Sequence, residues 1–281
     1  MTRLDNSSVL IKRINSQERS KDAIRDFEDY EELYEKYVRE AEKFYLEEIN
    51  KLSNKITEDQ MFQVNPDVSD FEANMLLAFG AFVFTQAAEL AYSKMTQAAA
   101  TNEKLISDLA GNYMRERGAT LVTGITEQSR NAIRNTVGNG MRDGVDIKEI
   151  ALRIKQNIGL DERSSMAVEN LRNNLTSKGV SKVKVQAQVK QYSEKLLQQR
   201  AELIAQTETA AAIENAKLGI WKSSGVPQYV RWVTDANACD KCAPSAGDIQ
   251  VVGQMFQTSI GLFESPPLHP RCRCQLYLVK F

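Results

Sequence analysis

All four cysteines and the single histidine of this 281-residue chain lie between Cys239 and Cys274. They read Cys239-Asp-Lys-Cys242, then a long spacer, then His269-Pro-Arg-Cys272-Arg-Cys274. Both tryptophans, Trp221 and Trp232, and five of the six prolines also lie beyond residue 220, whereas residues 1–79 contain no glycine. Glycine and proline punctuate structure, and a long run without glycine favours helix. The sequence therefore reads as a long helical body with a compositionally distinct tail. A hydrolase built on a Ser/His/Asp constellation has only His269 to work with, which argues strongly against that class.

The body shows helical periodicity throughout. In residues 18–58, Phe27, Tyr30, Leu33, Tyr34, Tyr37 and Ala41 recur at three- and four-residue spacing and form one apolar stripe. Pro66 marks a short break, and Asp70 is the expected cap of an apolar helix over Phe71–Tyr92. Glu72, Asn74, Gln86 and Glu89 interrupt that stretch, so a buried or partner-facing helix is expected rather than a membrane span. Two shorter helices are expected near Thr126–Gly138 and Asp146–Ile158, the second with Ile150, Ile154 and Ile158 on one face and Gly159 as its stop. Residues 161–220 read as two long helices with a turn at Lys178–Gly179. Beyond Gly225, alternating patterns at Tyr229–Thr234, Ile249–Val252 and Gln275–Val279 favour strands. There is no internal repeat, and Met1–Lys21 has no apolar core of signal-peptide length.

A formal net charge of −1 argues against coating nucleic acid through a global positive field. The charge is unevenly spread. Residues 1–60 carry 11 basic and 15 acidic side chains, and residues 161–200 carry eight basic and four acidic ones. Lys178, Lys182, Lys184 and Lys190 are the candidate nucleic-acid contacts of that basic hairpin, which could equally be a solvated face.

The tail carries the sharpest chemical signal. A CxxC pair puts two thiolates on one tight turn, and tetrahedral zinc takes four soft or borderline ligands. Cys239, Cys242, Cys272, Cys274 and His269 supply five candidates. Structural zinc is one reading, and a small β-rich module has a thin core that an ion would stabilise. Two disulfides, or reduced thiols packed together without metal, are a second. A catalytic zinc or redox site is a third, and it would need an open position and a nearby carboxylate base. In a fully extended CxC the two sulfurs point to opposite faces, so joint ligation requires a turn at Cys272–Cys274. His269, in a proline-bounded loop, is either a ligand or a loop anchor bonded to a backbone carbonyl.

Trp232, Asp235, Cys239, Cys242, Gly247, Phe263 and the Pro266-Pro267-x-His269-Pro270-x-Cys272-Arg273-Cys274 run together resemble the phage Mu protein F-like domain of minor head (head morphogenesis) proteins of tailed phages. The resemblance extends upstream through Gly144–Ala151, Arg200–Thr209 and Asn215, covering roughly residues 120–274. The fold expected is α+β, a mostly helical body of long helices and hairpins with a small β-rich C-terminal module stapled by the Cys/His cluster. Three regions are expected: 1–119, helical and partner-docking; 120–220, the helical part of the domain; and 221–281, the Cys/His module. The resemblance implies a minor capsid protein rather than an enzyme, made in the host cytoplasm and held in the virion near the portal vertex. Its implied partners are the portal protein, a major capsid or scaffold protein, and double-stranded DNA, with no membrane partner expected. The alternatives are a zinc-dependent, nuclease-like enzyme using His269 with Glu208 or Asp235, and a DNA-binding accessory factor using the basic hairpin.

Overall fold

The computed structural model describes residues 21–55, 64–96, 102–113, 115–116, 132, 135–136, 139, 147–157, 159–226, 228–234 and 238–279. Within these, the side chains of 21–27, 48, 52–55, 64–79, 147–148, 150–151 and 155 fall outside the description. Helix α1 is Lys21–Lys55, α2 is Val64–Thr96, α3 covers 103–113, α4 is Ile147–Asn157, α5 is Glu162–Ser177 and α6 is Lys182–Ser223. Five short strands follow: β1 Tyr229–Val233, β2 Ile249–Val251, β3 Phe256–Thr258, β4 Gly261–Phe263 and β5 Gln275–Val279. The fold is thus mostly helical with a small antiparallel module at the C-terminal end, as the composition predicts.

The chain divides into two compact units, each assembled from segments far apart in sequence. One comprises Met1–Glu40, Phe79–Met114 and Leu203–Phe281; the other comprises Ala41–Ala78 and Arg115–Glu202. The first contains the β module. There the apolar stripe of α1 is buried through Tyr30, Tyr34 and Tyr37. Tyr37 meets Phe82 edge-on at 5.4 Å, and Phe84 stacks on Tyr113 at 4.8 Å between ring centroids. The alanines of α6 (Ala205, Ala210, Ala211, Ala212, Ala216) are buried, which lets other elements approach its backbone closely. Gly219 continues that small surface, because a Cβ there would lie 3.3 Å from Leu109 of α3.

Strands β2, β1 and β5 form one antiparallel sheet in that order, and β3 pairs with β4 as a separate hairpin. Alternation along β1 turns Val230 and Trp232 inward, and Trp232 lies opposite Leu276 of β5. Trp232 also packs edge-on against Phe256 of β3, with centroids 5.2 Å apart. Both rings are fully buried and anchor the module's core.

The second unit shows how local chemistry ends and starts helices. Asp161 caps α5 by accepting from the Ser164 N–H at 2.8 Å. At the other end Gly179 adopts φ +71. Its N–H donates to the Thr176 carbonyl and the Val180 N–H donates to the Leu175 carbonyl, a Schellman arrangement. Leu175 and Val180 then pack on a cluster of Leu160, Val168, Val185 and Val189. Gly159 ends α4 at φ +76, where a Cβ would meet Leu197 at 2.9 Å and Ile49 at 3.1 Å, so the position is closed to other residues twice over.

Two expectations need correction or bounding. The apolar helix begins at Val64, so Asp70 sits inside α2 rather than capping it, and Pro66 lies in its first turn. Proline is tolerated there because a first-turn N–H has no intrahelical acceptor to lose. The helix expected near Thr126–Gly138 lies largely outside the described residues, as do Asp146, Ile158 and the side chains of Phe27 and Ile150. Ile154, the described member of the α4 stripe, is fully buried. Among the described residues, no helix is long and apolar enough to cross a membrane.

Candidate metal centre

The CxxC turn is built by backbone hydrogen bonds. The Cys239 carbonyl accepts from the N–H groups of Cys242 and Ala243, both at 2.9 Å, and the chain passes into a short 3-10 turn, Ala243–Ser245. The facing loop is pinned by buried Pro266 and Leu268. Its next turn is closed by the Cys272 N–H donating to the His269 carbonyl at 3.1 Å. Arg271 adopts φ 61, the left-handed region. Its N–H is held by the Thr207 hydroxyl of α6 at 3.3 Å. This bend supplies the turn that joint action of Cys272 and Cys274 requires, since β5 starts only at Gln275.

All five predicted residues are brought together. Nε2 of His269 lies 3.1 Å from Cys239 Sγ and 3.2 Å from Cys242 Sγ, and Cys242 Sγ lies 3.7 Å from Cys272 Sγ. The donor atoms form two triads, Cys239/Cys242/His269 and Cys242/Cys272/Cys274, each within 4.8 Å and sharing Cys242. Cys242, Cys272 and Cys274 are buried, Cys239 is exposed, and none is in a disulfide. His269 makes the loop-anchoring bond considered for it, in a geometry that also suits a ligand. Its Nδ1 donates to the Pro270 carbonyl at 2.8 Å. That bond leaves the Nε2 lone pair facing the sulfurs, the usual orientation of a metal-ligating imidazole.

The group fits a soft divalent ion. Two sulfurs each about 2.3 Å from a tetrahedral ion lie about 3.7–3.8 Å apart, which matches Cys242 and Cys272. The histidine nitrogen sits a few tenths of an ångström closer to its sulfurs than a ligand pair would, at hydrogen-bond range. Thiol ionisation is split across the cluster. A hydrogen bond from the Cys274 thiol, opposed by burial, brings Cys272 down to about 5. Burial, joined by the charge on Cys272, pushes Cys242 up to about 12. Giving that hydrogen bond, and burial, push Cys274 upward as well. Slight burial opposes ionisation of Cys239, but donation from the Cys242 and Lys241 N–H groups outweighs it and lowers the thiol from its ordinary range.

Around this centre lie residues that, apart from Arg273 of the HPxCRC run, carry no local sequence signal. Arg273, between the last two cysteines, pairs with Glu31 of α1 and lies 3.8 Å from Glu35. Gln275 donates to the other Glu31 oxygen at 3.2 Å. Glu214 of α6 accepts from the Leu276 N–H at 3.0 Å and from Lys217 Nζ at 2.6 Å. Lys217 is fully buried, with its ammonium 4.7 Å from the Tyr30 ring centre and 4.8 Å from that of Tyr277. Glu208 is buried on the same helix, and among the described residues neither metal triad contains a carboxylate. Asp235 lies outside the described residues. In the other unit Lys178, Lys182, Lys184 and Lys190 are all exposed. Lys182 lies 3.4 Å from Glu149 and Lys190 lies 3.8 Å from Glu194.

The family model for phage Mu protein F-like proteins matches residues 131–277, just over half of the chain, and takes in every residue of the cluster. The chain belongs to the phage Mu protein F-like family. No curated protein and no solved structure matches it. Membership of this phage family points to head morphogenesis and to the virion.

Proposed function

We propose that this Mu F-like protein is a minor capsid protein of a tailed bacteriophage. It associates with the portal, and it acts in head assembly and in the packaging or ejection of DNA. The observation that carries the reading is the convergence of the family's CxxC and HPxCRC segments on one cluster, locked to helices α1 and α6 through Glu31 and Thr207. Such an arrangement stiffens a surface that other proteins can grip. The portal protein is the principal partner, with a major capsid or scaffold protein and double-stranded DNA as further ones. The protein is made in the host cytoplasm and held inside the head near the portal vertex.

The cluster holds a structural zinc ion through Cys239, Cys242, Cys272 and His269, with Cys274 donating to the Cys272 sulfur. Thiolate and imidazole ligands favour zinc over calcium or magnesium, and a bound ion would supply cross-linking energy to a module with a thin core. The role is structural rather than catalytic. A catalytic zinc uses a nearby carboxylate base, and among the described residues no carboxylate belongs to either donor triad. Co-expression with the portal protein followed by affinity capture, alongside mass spectrometry of purified proheads and virions, tests the reading. Recovery in both is expected, and absence from proheads and virions alike would overturn it.

A further inference from the structure

Large apolar side chains are exposed unevenly over this protein. Of the ten that stand exposed among the described residues, six fall between Val226 and Leu262. The run Ile249–Phe263 also contains no charged residue, in a chain where 26% of residues are charged. An uncharged, apolar stretch of surface marks a protein contact. None of the five clustered Cys and His residues lies in this run.

The β3–β4 hairpin gives the run an open edge. β3 lies against the 3-10 turn Ala243–Ser245, and the Ser259 hydroxyl donates to the Lys241 carbonyl, so that side of the hairpin is covered. Among the described residues, no strand besides β3 pairs with β4. The register pairs Thr258 with Gly261 across the turn of Ser259 and Ile260, and Gln257 with Leu262 one step on. In an antiparallel ladder closed by a two-residue turn, the pair at the turn exchanges both hydrogen bonds and the next pair exchanges none. The N–H and C=O of Leu262 therefore point away from β3, toward the open edge. No other segment among the described residues takes up either group. The Leu262 side chain is itself 63% exposed.

This edge is complementary to itself. A donor and an acceptor on one residue can be exchanged with the same residue of a second copy about a two-fold axis, as one antiparallel hydrogen-bonded pair. Such an axis sets each residue near it close to its own twin. A charge there would meet a like charge, and Ile249–Phe263 has none. The first charge beyond the run, Glu264, is already held by Lys222 at 2.5 Å. Edge strands that stay single commonly carry a lysine, a proline or a bulge that blocks pairing. β4 and its turn carry none of these.

We infer that the open edge of β4 is a self-association site. Two copies of this chain pair β4 with β4 in antiparallel register about Leu262, which makes one four-stranded sheet of order β3-β4-β4-β3. The strand is three residues long, so the contact is weak and depends on concentration. The inference stands apart from the head-protein reading, which names the portal and not a second copy.

Sedimentation velocity of the full chain over a concentration series tests the site. A monomer–dimer equilibrium is expected. Leu262→Glu and Leu262→Lys each set like charges face to face, and should raise the dimer dissociation constant at least about tenfold. An equimolar mixture of the two variants should restore the dimer, because opposite charges then face each other across the axis. Recovery in the mixture cannot come from an unfolded chain. Val183→Glu, at the most exposed apolar side chain of the other unit, should leave the equilibrium unchanged. A chain that stays monomeric up to about 100 μM would overturn the inference. So would a dimer that either Leu262 variant leaves intact, a mixture that stays monomeric, or equal weakening by Val183→Glu. Loss of portal capture on Leu262→Glu, from a chain that is itself monomeric, would assign the edge to the portal protein and overturn it as well. The dimer is measured without portal protein, so this inference and the head-protein reading fail separately.

Discussion

Arg273, flanked by two cysteines of the cluster, is held by Glu31 of the first helix, 242 positions earlier in the chain. Glu31 also accepts from Gln275, and its side chain is only 11% exposed. Glu31→Ala would remove the carboxylate that accepts both bonds in a largely buried place. A loss of about 2–3 kcal/mol in unfolding free energy is expected, measured by denaturant titration. Glu31→Gln, which keeps one acceptor oxygen, should lose less. Equal loss from both would show that the charge pair itself dominates.

The ligand set of the metal centre is open to direct assay. One zinc per purified chain is expected, with Cys239→Ser, Cys242→Ser and Cys272→Ser each abolishing stoichiometric binding. Cobalt substitution should give the ligand-field and charge-transfer bands of three sulfurs and one nitrogen, and His269→Ala should change them. Cys274→Ser should retain the metal, so its loss there would reassign the fourth ligand.

The buried pair of Lys217 and Glu214 makes an asymmetric prediction. Lys217→Met leaves an uncompensated carboxylate that burial already pushes above the usual carboxylate range, and should cost about 3–5 kcal/mol. The double change Lys217→Met with Glu214→Gln removes both charges while keeping an acceptor for the Leu276 N–H. It should recover most of that stability by thermal denaturation. A double variant as unstable as the single one would contradict this account.

Without metal and with thiols reduced, Cys272 and Cys242 act on stability in opposite pH ranges. A thiol depressed to about 5 when folded binds fewer protons than in the unfolded chain, so its contribution is complete above the ordinary thiol range and fades as pH falls toward about 5. A thiol raised to about 12 costs nothing below the ordinary range and destabilises as pH rises past it. Melting temperature in chelator and reductant should therefore rise with pH from about 5 to about 9 relative to Cys272→Ser. Relative to Cys242→Ser it should fall above about 9. A flat difference across pH 5–9 for Cys272→Ser would contradict the assignment.

Much of the module was readable because its signals are local. Alternation located β1, β2 and β5, and the ligand spacing located the five converging residues. The β3–β4 hairpin escaped notice because its two short strands, separated only by Ser259 and Ile260, sit in a stretch that reads as turn-rich, and Phe256 is a single anchoring ring. Pro66 read as a break because proline is tolerated in a first turn, which sequence pattern does not distinguish from a stop. Glu31 and Glu214 were invisible for a different reason. Each is an ordinary helical polar residue until a partner from the far end of the chain arrives beside it.

The shared position of Cys242 has one more consequence. It meets Cys272 across a loop of 30 positions that contains the whole β3–β4 hairpin. Fastening such a loop removes about 3–4 kcal/mol of unfolded-chain entropy if the link is fixed. Closure entropy grows only slowly with length, by about 0.6 kcal/mol per doubling. A fastened loop therefore tolerates growth, and the exposed turn at Gly253–Met255 can take extra chain without touching the bond from the Ser259 hydroxyl to the Lys241 carbonyl inside the CxxC turn.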